Sequence, residues 1–342
     1  MPFLAERHQS QHSGRPRPAG FDPAGLAARL GERVLGQEPA VAAAVRALSL
    51  AAVGATDPDR PLATLLLVGP TGVGKTELVR RVAAELRTGP DDLCRVDMNA
   101  LAQEHYAASF TGAPPGYAGS KEAYSLFDRT TVEGDPYRPG IVLFDEVEKA
   151  HPTVLRALLH VLDSGTLRLA SGQQTISFRN SLVFLTSNLG SAELARRRRS
   201  PWRRVFGARA GARGDRAALD AAVRRFFDPE FLNRIDETAV FTALSRPTAR
   251  RVARLELDLL AARLRKRSVE LTTADAVTDL VVEAGFDPVY GARGVRRAIR
   301  TVVAAPVAAA LLDLRGTTAA PARVHATVAE GVVRAEASVT RG

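Results

Sequence analysis

Lysine is nearly missing from this chain. Of its 47 basic residues only Lys75, Lys121, Lys149 and Lys266 are lysines, the other 43 being arginines. Cysteine occurs once, as Cys94, which excludes an internal disulfide and leads us to expect a reducing cytoplasm. Nothing approaches the ~20 apolar residues that a bilayer-crossing helix needs, so no membrane partner is expected. Residues 1–20, rich in Arg, His, Ser and Pro, hold no apolar stretch of signal-peptide length; they read as a disordered tail, with a transit peptide as the alternative. Acid is absent from 196–213, where eight arginines gather around Trp202. Without that segment the net charge of +10 falls to +2, so the basicity is local and a nucleic-acid partner is not expected. The stretch 194–215 reads as a basic loop, either a solvated excursion or a dock for an acidic partner.

Against that scarcity of lysine, Lys75 stands out. It closes Gly69-Pro70-Thr71-Gly72-Val73-Gly74-Lys75-Thr76, directly behind the apolar run Leu65 to Val68 and ahead of a helical pattern, Glu77 to Leu86. Glycines in such a loop let backbone N–H groups turn inward at phosphate oxygens, and the following helix adds its positive end. Thr71, Gly72, Val73 and Gly74 would line the phosphates of a nucleotide, Lys75 would reach the outer ones, and the Thr76 hydroxyl would join a Mg²⁺ shell. A compact ammonium on a flexible stem suits this task, where a planar guanidinium does not.

The rest of the pattern alternates short apolar runs with helical stretches. Asp22-Pro23 caps a first helix ending near Gly31, and a second runs from Glu38-Pro39 to about Val53. Leu93 to Val96, Ile141 to Phe144 and Leu182 to Leu185 read as buried parallel strands. Residues 21–245 are therefore expected to form a doubly wound parallel α/β sheet with helices on both faces. Residues 246–342 are expected to form a small, mainly helical domain closed by a β-hairpin about Glu330-Gly331.

Ile141-Val142-Leu143-Phe144-Asp145-Glu146 ends in paired carboxylates. Beside a phosphate cradle, Asp145 is suited to the Mg²⁺ shell and Glu146 to deprotonating the water that attacks the γ-phosphate. His151 has no ligand partner at metal-binding spacing and reads as structural.

Eight strings then carry a resemblance: RVLGQ (Arg33 to Gln37), GPTGVGKTEL (Gly69 to Leu78), GAPPGYAG (Gly112 to Gly119), FDEVEKAHP (Phe144 to Pro152), FRN (Phe178 to Asn180), TSNLGS (Thr186 to Ser191), DPEFLNRIDE (Asp228 to Glu237) and YGARGVRRAI (Tyr290 to Ile299). In this order the chain resembles the Clp-type AAA+ unfoldases, specifically the second ATPase module of ClpB-like disaggregases and ClpA/ClpC-like unfoldases. The resemblance implies that Val34 and Leu35 flank adenine, that Asn188 aligns the attacking water, and that Arg293 senses the γ-phosphate. It implies that Arg234 is an arginine finger entering a neighbouring subunit, and that Tyr117 grips polypeptide in a pore. It further implies a homo-hexameric ring that uses ATP to act on unfolded or aggregated polypeptide, with a peptidase or chaperone as a further partner; the alternatives are the ATPase subunit of a Clp-type protease and an ATP-gated scaffold that binds an acidic partner or nucleic acid through the arginines of 196–213. The chain departs from the family pattern at Ala118, across Ser120 to Tyr137, at Ser109 and along the apolar helix Val45 to Val53. Those departures bear on substrate grip and ring communication. Val205-Phe206-Gly207 lies where peptidase-coupled members carry a docking tripeptide, in an order that does not match it.

Overall fold

The computed structural model describes residues 21–103, 110, 126–135, 137–168, 175–191, 193–194, 203–287, 291–315 and 321–339, with the side chains of 203–213 and 315 left aside. Tyr117, with the rest of its GAPPGYAG loop, and Tyr290 lie outside the described residues. The chain divides into two compact units. The first takes in residues up to Gly69 and Gly74–Thr242; the second takes in Pro70–Val73 and Ala243–Gly342.

The first unit opens with α1 (Pro23–Gly31) and α2 (Glu38–Ala52), each with proline in its first turn, where the missing N–H costs nothing. Then come β1 (Ala63–Val68), α3 (Lys75–Leu86) and β2 (Cys94–Asp97), followed by the short α4 (Arg129–Glu133), β3 (Gly140–Asp145) and α5 (Pro152–Ser164). A small antiparallel pair, β4 (Thr166–Arg168) and β5 (Thr175–Ser177), precedes β6 (Ser181–Ser187). The unit closes with α6 (Arg203–Phe226), α7 (Pro229–Leu232) and β7 (Glu237–Val240).

Five strands form one parallel sheet in the order β2-β3-β6-β1-β7. The middle strands β1 and β6 are buried along their whole length, as apolar runs covered on both faces must be. Phe110, Phe127, Phe144 and Phe178 meet in a chain of tilted and edge-on rings, 5.4 to 6.4 Å apart, inside the core beneath β3. Such pairs add about 0.5–1.5 kcal/mol each beyond the area they bury.

The second unit contains α8 (Arg246–Arg265), β8 (Val269–Thr273), α9 (Asp275–Gly285) and α10 (Arg293–Ala298). A π-helical stretch, Ile299–Ala304, leads into α11 (Ala305–Arg315), and β9 (Ala322–Ala329) and β10 (Val332–Val339) end the unit. Ser245 caps α8, its hydroxyl accepting from the Thr248 N–H.

The expected C-terminal hairpin is present in β9 and β10, and it gains a strand: β8 pairs in parallel with β9, giving a three-stranded sheet in the order β10-β9-β8. Val269–Thr273 alternates buried and exposed residues and carries Glu270, so its apolar signal is half that of the central strands. One expectation is corrected: the basic stretch 194–215 is not a loop throughout, because the backbone is helical from Arg203 onward in α6. Alanine and arginine are strong helix formers, and between 203 and 226 they outweigh Gly207, Gly211 and Gly214.

Candidate active site

Parallel strands deliver their C-terminal ends to one edge of the sheet, and there the chemistry-bearing residues collect. β1 ends at Val68 and passes into Gly69, whose N–H donates to the Ser187 carbonyl at 3.2 Å. Phe241, following β7, donates back to the Val68 carbonyl at 2.7 Å. Gly69 is required there: its φ is +153°, and a Cβ would lie 2.4 Å from the Phe241 carbonyl oxygen. Gly74, in the left-handed region, brings no side chain to cap the first turn of α3, which begins at Lys75.

Lys75 is buried, only 8% exposed, with its Nζ donating to the Gly69 carbonyl at 2.6 Å and to Asn188 Oδ1 at 2.9 Å. The Asn188 amide passes the link on, its Nδ2 donating to Glu146 Oε1 at 3.1 Å. Lys75 at the start of α3, and Glu146 and Asn188 just past the ends of β3 and β6, are thus joined in one hydrogen-bonded line. Asn188 is itself fixed from behind, its backbone N–H donating to Glu148 Oε1 at 3.0 Å.

Thr186 organises the two carboxylates. Its hydroxyl donates to Asp145 Oδ1 and accepts from the Glu146 N–H at 3.0 Å. Glu146 has φ +60° and ψ +53°, a left-handed backbone that a non-glycine residue adopts at a cost of about 1–3 kcal/mol and that is found at sites where the surroundings enforce it. The turn swings the Glu146 carboxylate off the strand direction toward Asn188, while Asp145 stays in line with β3. Arg95 of β2 occupies the other Asp145 oxygen, with Nε 3.1 Å from Oδ2 and Nη2 donating to the same atom. Neither Thr186 nor Arg95 draws a role from the sequence, because strand register is what brings them beside the last residues of β3.

Val34, buried, lies beside the cradle: its Cγ1 is 3.7 Å from where a Gly74 Cβ would stand. Leu35 is half-buried next to it. Gln37 anchors this segment, donating to the Thr242 carbonyl at 2.8 Å and accepting from the Thr242 N–H at 2.9 Å. Thr76, half-buried, is the second residue of α3.

Arg234 sits apart from the lysine-asparagine-glutamate line. Its Nε pairs with Asp163 at the end of α5, 2.8 Å away, and its carbonyl accepts from Arg60 at 2.9 Å. Thr71, Gly72, Val73 and Arg293 belong to the second unit, where the Ala292 N–H donates to the Gly72 carbonyl at 3.1 Å and Arg293 opens α10. His151 is structural, its Nδ1 accepting from the Thr153 N–H at 3.3 Å to cap α5. Burial pushes the thiol of Cys94, on β2, up to about 11.

The donor set fits a magnesium triphosphate: a buried lysine, a hydroxyl at a helix start and two strand-end carboxylates of different orientation. Comparison with known proteins agrees. The family model for the AAA domain (Cdc48 subfamily) matches residues 60–238, and that for the C-terminal, D2-small domain of ClpB protein matches 244–325. An ATP-dependent protease ATP-binding subunit-like protein of Rhodococcus erythropolis is 58% identical, over 95% of this chain and 96% of its own length. The Vibrio cholerae chaperone protein ClpB is 42% identical over 83% of this chain, which spans only 31% of that protein. A closed-state reconstruction of Hsp104 with ATPγS and FITC casein superimposes with a TM-score of 0.74 at 29% identity, covering 92% of this chain and 51% of that one. The chain belongs to the Clp-type AAA+ ATPases.

Proposed function

We propose that the protein is an ATP-driven unfoldase that assembles as a homo-hexameric ring in the cytoplasm and draws unfolded or aggregated polypeptide past Tyr117. The observation that carries the nucleotide chemistry is the Asn188 amide, hydrogen-bonded at once to Lys75 and Glu146. A γ-phosphate reached by Lys75 would stand on one side of that amide, and the carboxylate that takes a proton from water on the other. Water would add to the γ-phosphorus, its proton passing to Glu146, while the bond to the β-phosphate oxygen breaks and ADP leaves. Thr76 and Asp145 would hold Mg²⁺, which when bound neutralises charge developing on the phosphate oxygens. Thr186 keeps Asp145 and Glu146 in their different orientations, so that one carboxylate serves the metal shell and the other the water. Thr71 to Gly74 would wrap the phosphates, Val34 and Leu35 would flank the base, and Arg293 would read the γ-phosphate from the second unit.

Arg234 is proposed as a finger completing the neighbouring subunit's site. Its side chain is held by Asp163 rather than by the chain's own Lys75 cluster, as a group working in trans requires. Fingers supplied in trans are worth roughly 10³ to 10⁵ in rate, so turnover per chain should fall steeply on dilution. The ring, the threaded client and a peptidase or chaperone partner are carried by the family. The Hsp104 reconstruction was made with casein, and the Rhodococcus relative's name speaks of a protease.

The test is a pair of variants. Glu146→Gln should bind ATP yet lose hydrolysis by about 10²- to 10⁴-fold, and sizing it with ATP by light scattering should give a hexamer. Tyr117→Ala should keep basal hydrolysis and lose stimulation by unfolded casein. A Glu146→Gln chain that stays monomeric in saturating ATP sinks the ring. Stimulation by polyanion alone, abolished by charge reversal within 196–213, would replace threading by a scaffold that binds an acidic partner.

A further inference from the structure

Asp145 is the residue proposed above for the metal shell, and both its oxygens are engaged. Oδ1 accepts the Thr186 hydroxyl, whereas Oδ2 takes two N–H groups from Arg95, its Nε at 3.1 Å. The pairing follows from register. β2 and β3 run parallel with Arg95 opposite Leu143 and Asp97 opposite Asp145, so Arg95 reaches diagonally along one face of the sheet to the strand-end carboxylate. The two partners differ in freedom: the Asp145 side chain is 13% exposed, the Arg95 side chain 58%. The carboxylate cannot turn away toward bulk water; the guanidinium can swing out into it.

We infer that Arg95 is a positioning residue of the phosphate site: its guanidinium holds the Asp145 carboxylate as a stand-in cation that a hydrated Mg²⁺ must displace or share, and so sets how much metal the site needs. This rests on the reading of Asp145 as a metal-shell residue. Two requirements meet in one contact. With no metal bound, a poorly hydrated carboxylate beside Glu146 needs a counter-charge and a fixed rotamer, and a two-pronged guanidinium supplies both. Because the arginine end is exposed, the pair is weak enough to yield to a dication. Lysine, a point charge, would neutralise Asp145 without fixing its orientation.

The experiment follows fluorescence of MANT-ADP at fixed concentration as MgCl₂ is titrated from EDTA-containing buffer, comparing the natural chain with Arg95→Ala and Arg95→Lys. Loss of a rival cation should lower the half-saturating Mg²⁺ of Arg95→Ala about three- to tenfold, the range expected for one nearby, partly screened charge. Arg95→Lys should fall close to the natural chain in Mg²⁺ demand, while its ATPase kcat drops with that of Arg95→Ala, since charge is kept and orientation is not. Arg95 is exposed, so both variants should melt with the natural chain, which separates this effect from a folding defect. A half-saturation in Arg95→Ala that stays within about twofold of the natural chain makes the contact an ordinary surface ion pair and overturns the inference. A raised requirement overturns it equally, because Arg95 would then assist the metal. A natural chain that binds no MANT-ADP at any Mg²⁺ brings down the nucleotide reading and this inference with it, whereas binding with an unaltered profile brings down the inference alone.

Discussion

The two cores of this protein are built from different material. Around the parallel sheet, Phe110, Phe127, Phe144, Phe178, Phe184 and Phe241 are all buried, with Leu62, Leu65, Leu66 and Leu67 among the fully covered aliphatics. In the second unit the buried set is dominated by Ala249, Ala253, Ala298, Ala322, Ala326 and a group of valines, with Leu257, Leu271 and Ile299 as its large members. Large rings fill the space between a sheet and the helices on its faces, where layers stand about 10 Å apart. Small side chains let helices and a short sheet approach closely, and they bury less apolar area per residue. The site follows the first pattern. Asp145 directly succeeds Phe144, and Gly69 rests on Phe241, so the proposed catalytic edge is anchored in the ring-lined core of the first unit.

Phe144→Ala should break that anchor with the largest effect. The ring touches Phe110 and Phe127 at 6.0 and 6.4 Å and is fully buried, so truncation is expected to cost about 3–5 kcal/mol in urea unfolding. Cys94 offers a reporter confined to the first unit. The thiol, pushed up to about 11 by burial, should stay protonated and unreactive toward DTNB at pH 8 until β2 opens. Phe144 lies opposite Val96 in the β2–β3 register, so in Phe144→Ala labelling should accelerate by about 10²- to 10³-fold. An unchanged rate would mean that the aromatic cluster does not hold the edge strand.

Leu257→Ala probes the other side of the comparison. Leu257 is 2% exposed in α8, within the alanine-valine core, and its loss should cost about 2–4 kcal/mol. If each core stabilises its own unit, this variant should leave Cys94 labelling near that of the natural chain while lowering the denaturation midpoint seen by circular dichroism. Equal acceleration in both variants would show that the two cores melt together, and the contrast in composition would then carry no consequence for cooperativity.

The same contrast decides what could be read from the chain before its structure. Leu65 to Val68, Ile141 to Phe144 and Leu182 to Leu185 are covered on both faces and so announce themselves as apolar runs; they led directly to β1, β3 and β6. Val269–Thr273 and Glu237–Val240 are partly exposed and carry acids, so they give no such run. The residues proposed to handle the nucleotide are legible because a loop of fixed spacing follows one covered strand and paired acids end another. Arg95 and Thr186 are not, because their roles come from register between strands distant in sequence: Thr186 stands opposite Leu67, and Arg95 opposite Leu143. The helix over Arg203–Phe226 is hidden for a different reason: Gly207, Gly211 and Gly214 interrupt a run of alanines and arginines that are good helix formers.

Asp236 gives the smallest effect and tests the packed edge by charge rather than volume. It sits just ahead of β7, accepting from the Thr64 N–H at 2.6 Å, with Arg60 close by. Burial raises its pKa above the ordinary 3.8, and this outweighs the Thr64 hydrogen bond and the Arg60 charge, which both act to lower it. For a carboxyl whose folded value exceeds the unfolded one, the penalty is absent below 3.8, where both states are protonated. It grows as pH rises through the interval between the two values and is complete above the folded one. At pH 7 the ionised Asp236 therefore works against folding. Asp236→Asn keeps an acceptor for the Thr64 N–H and removes the charge, so the variant should melt slightly higher at pH 7, with the advantage shrinking toward pH 4. A lower melting temperature at pH 7 would mean that the Arg60 attraction exceeds the cost of burial, and that this edge of the large core tolerates charge as readily as the exposed strands of the small one.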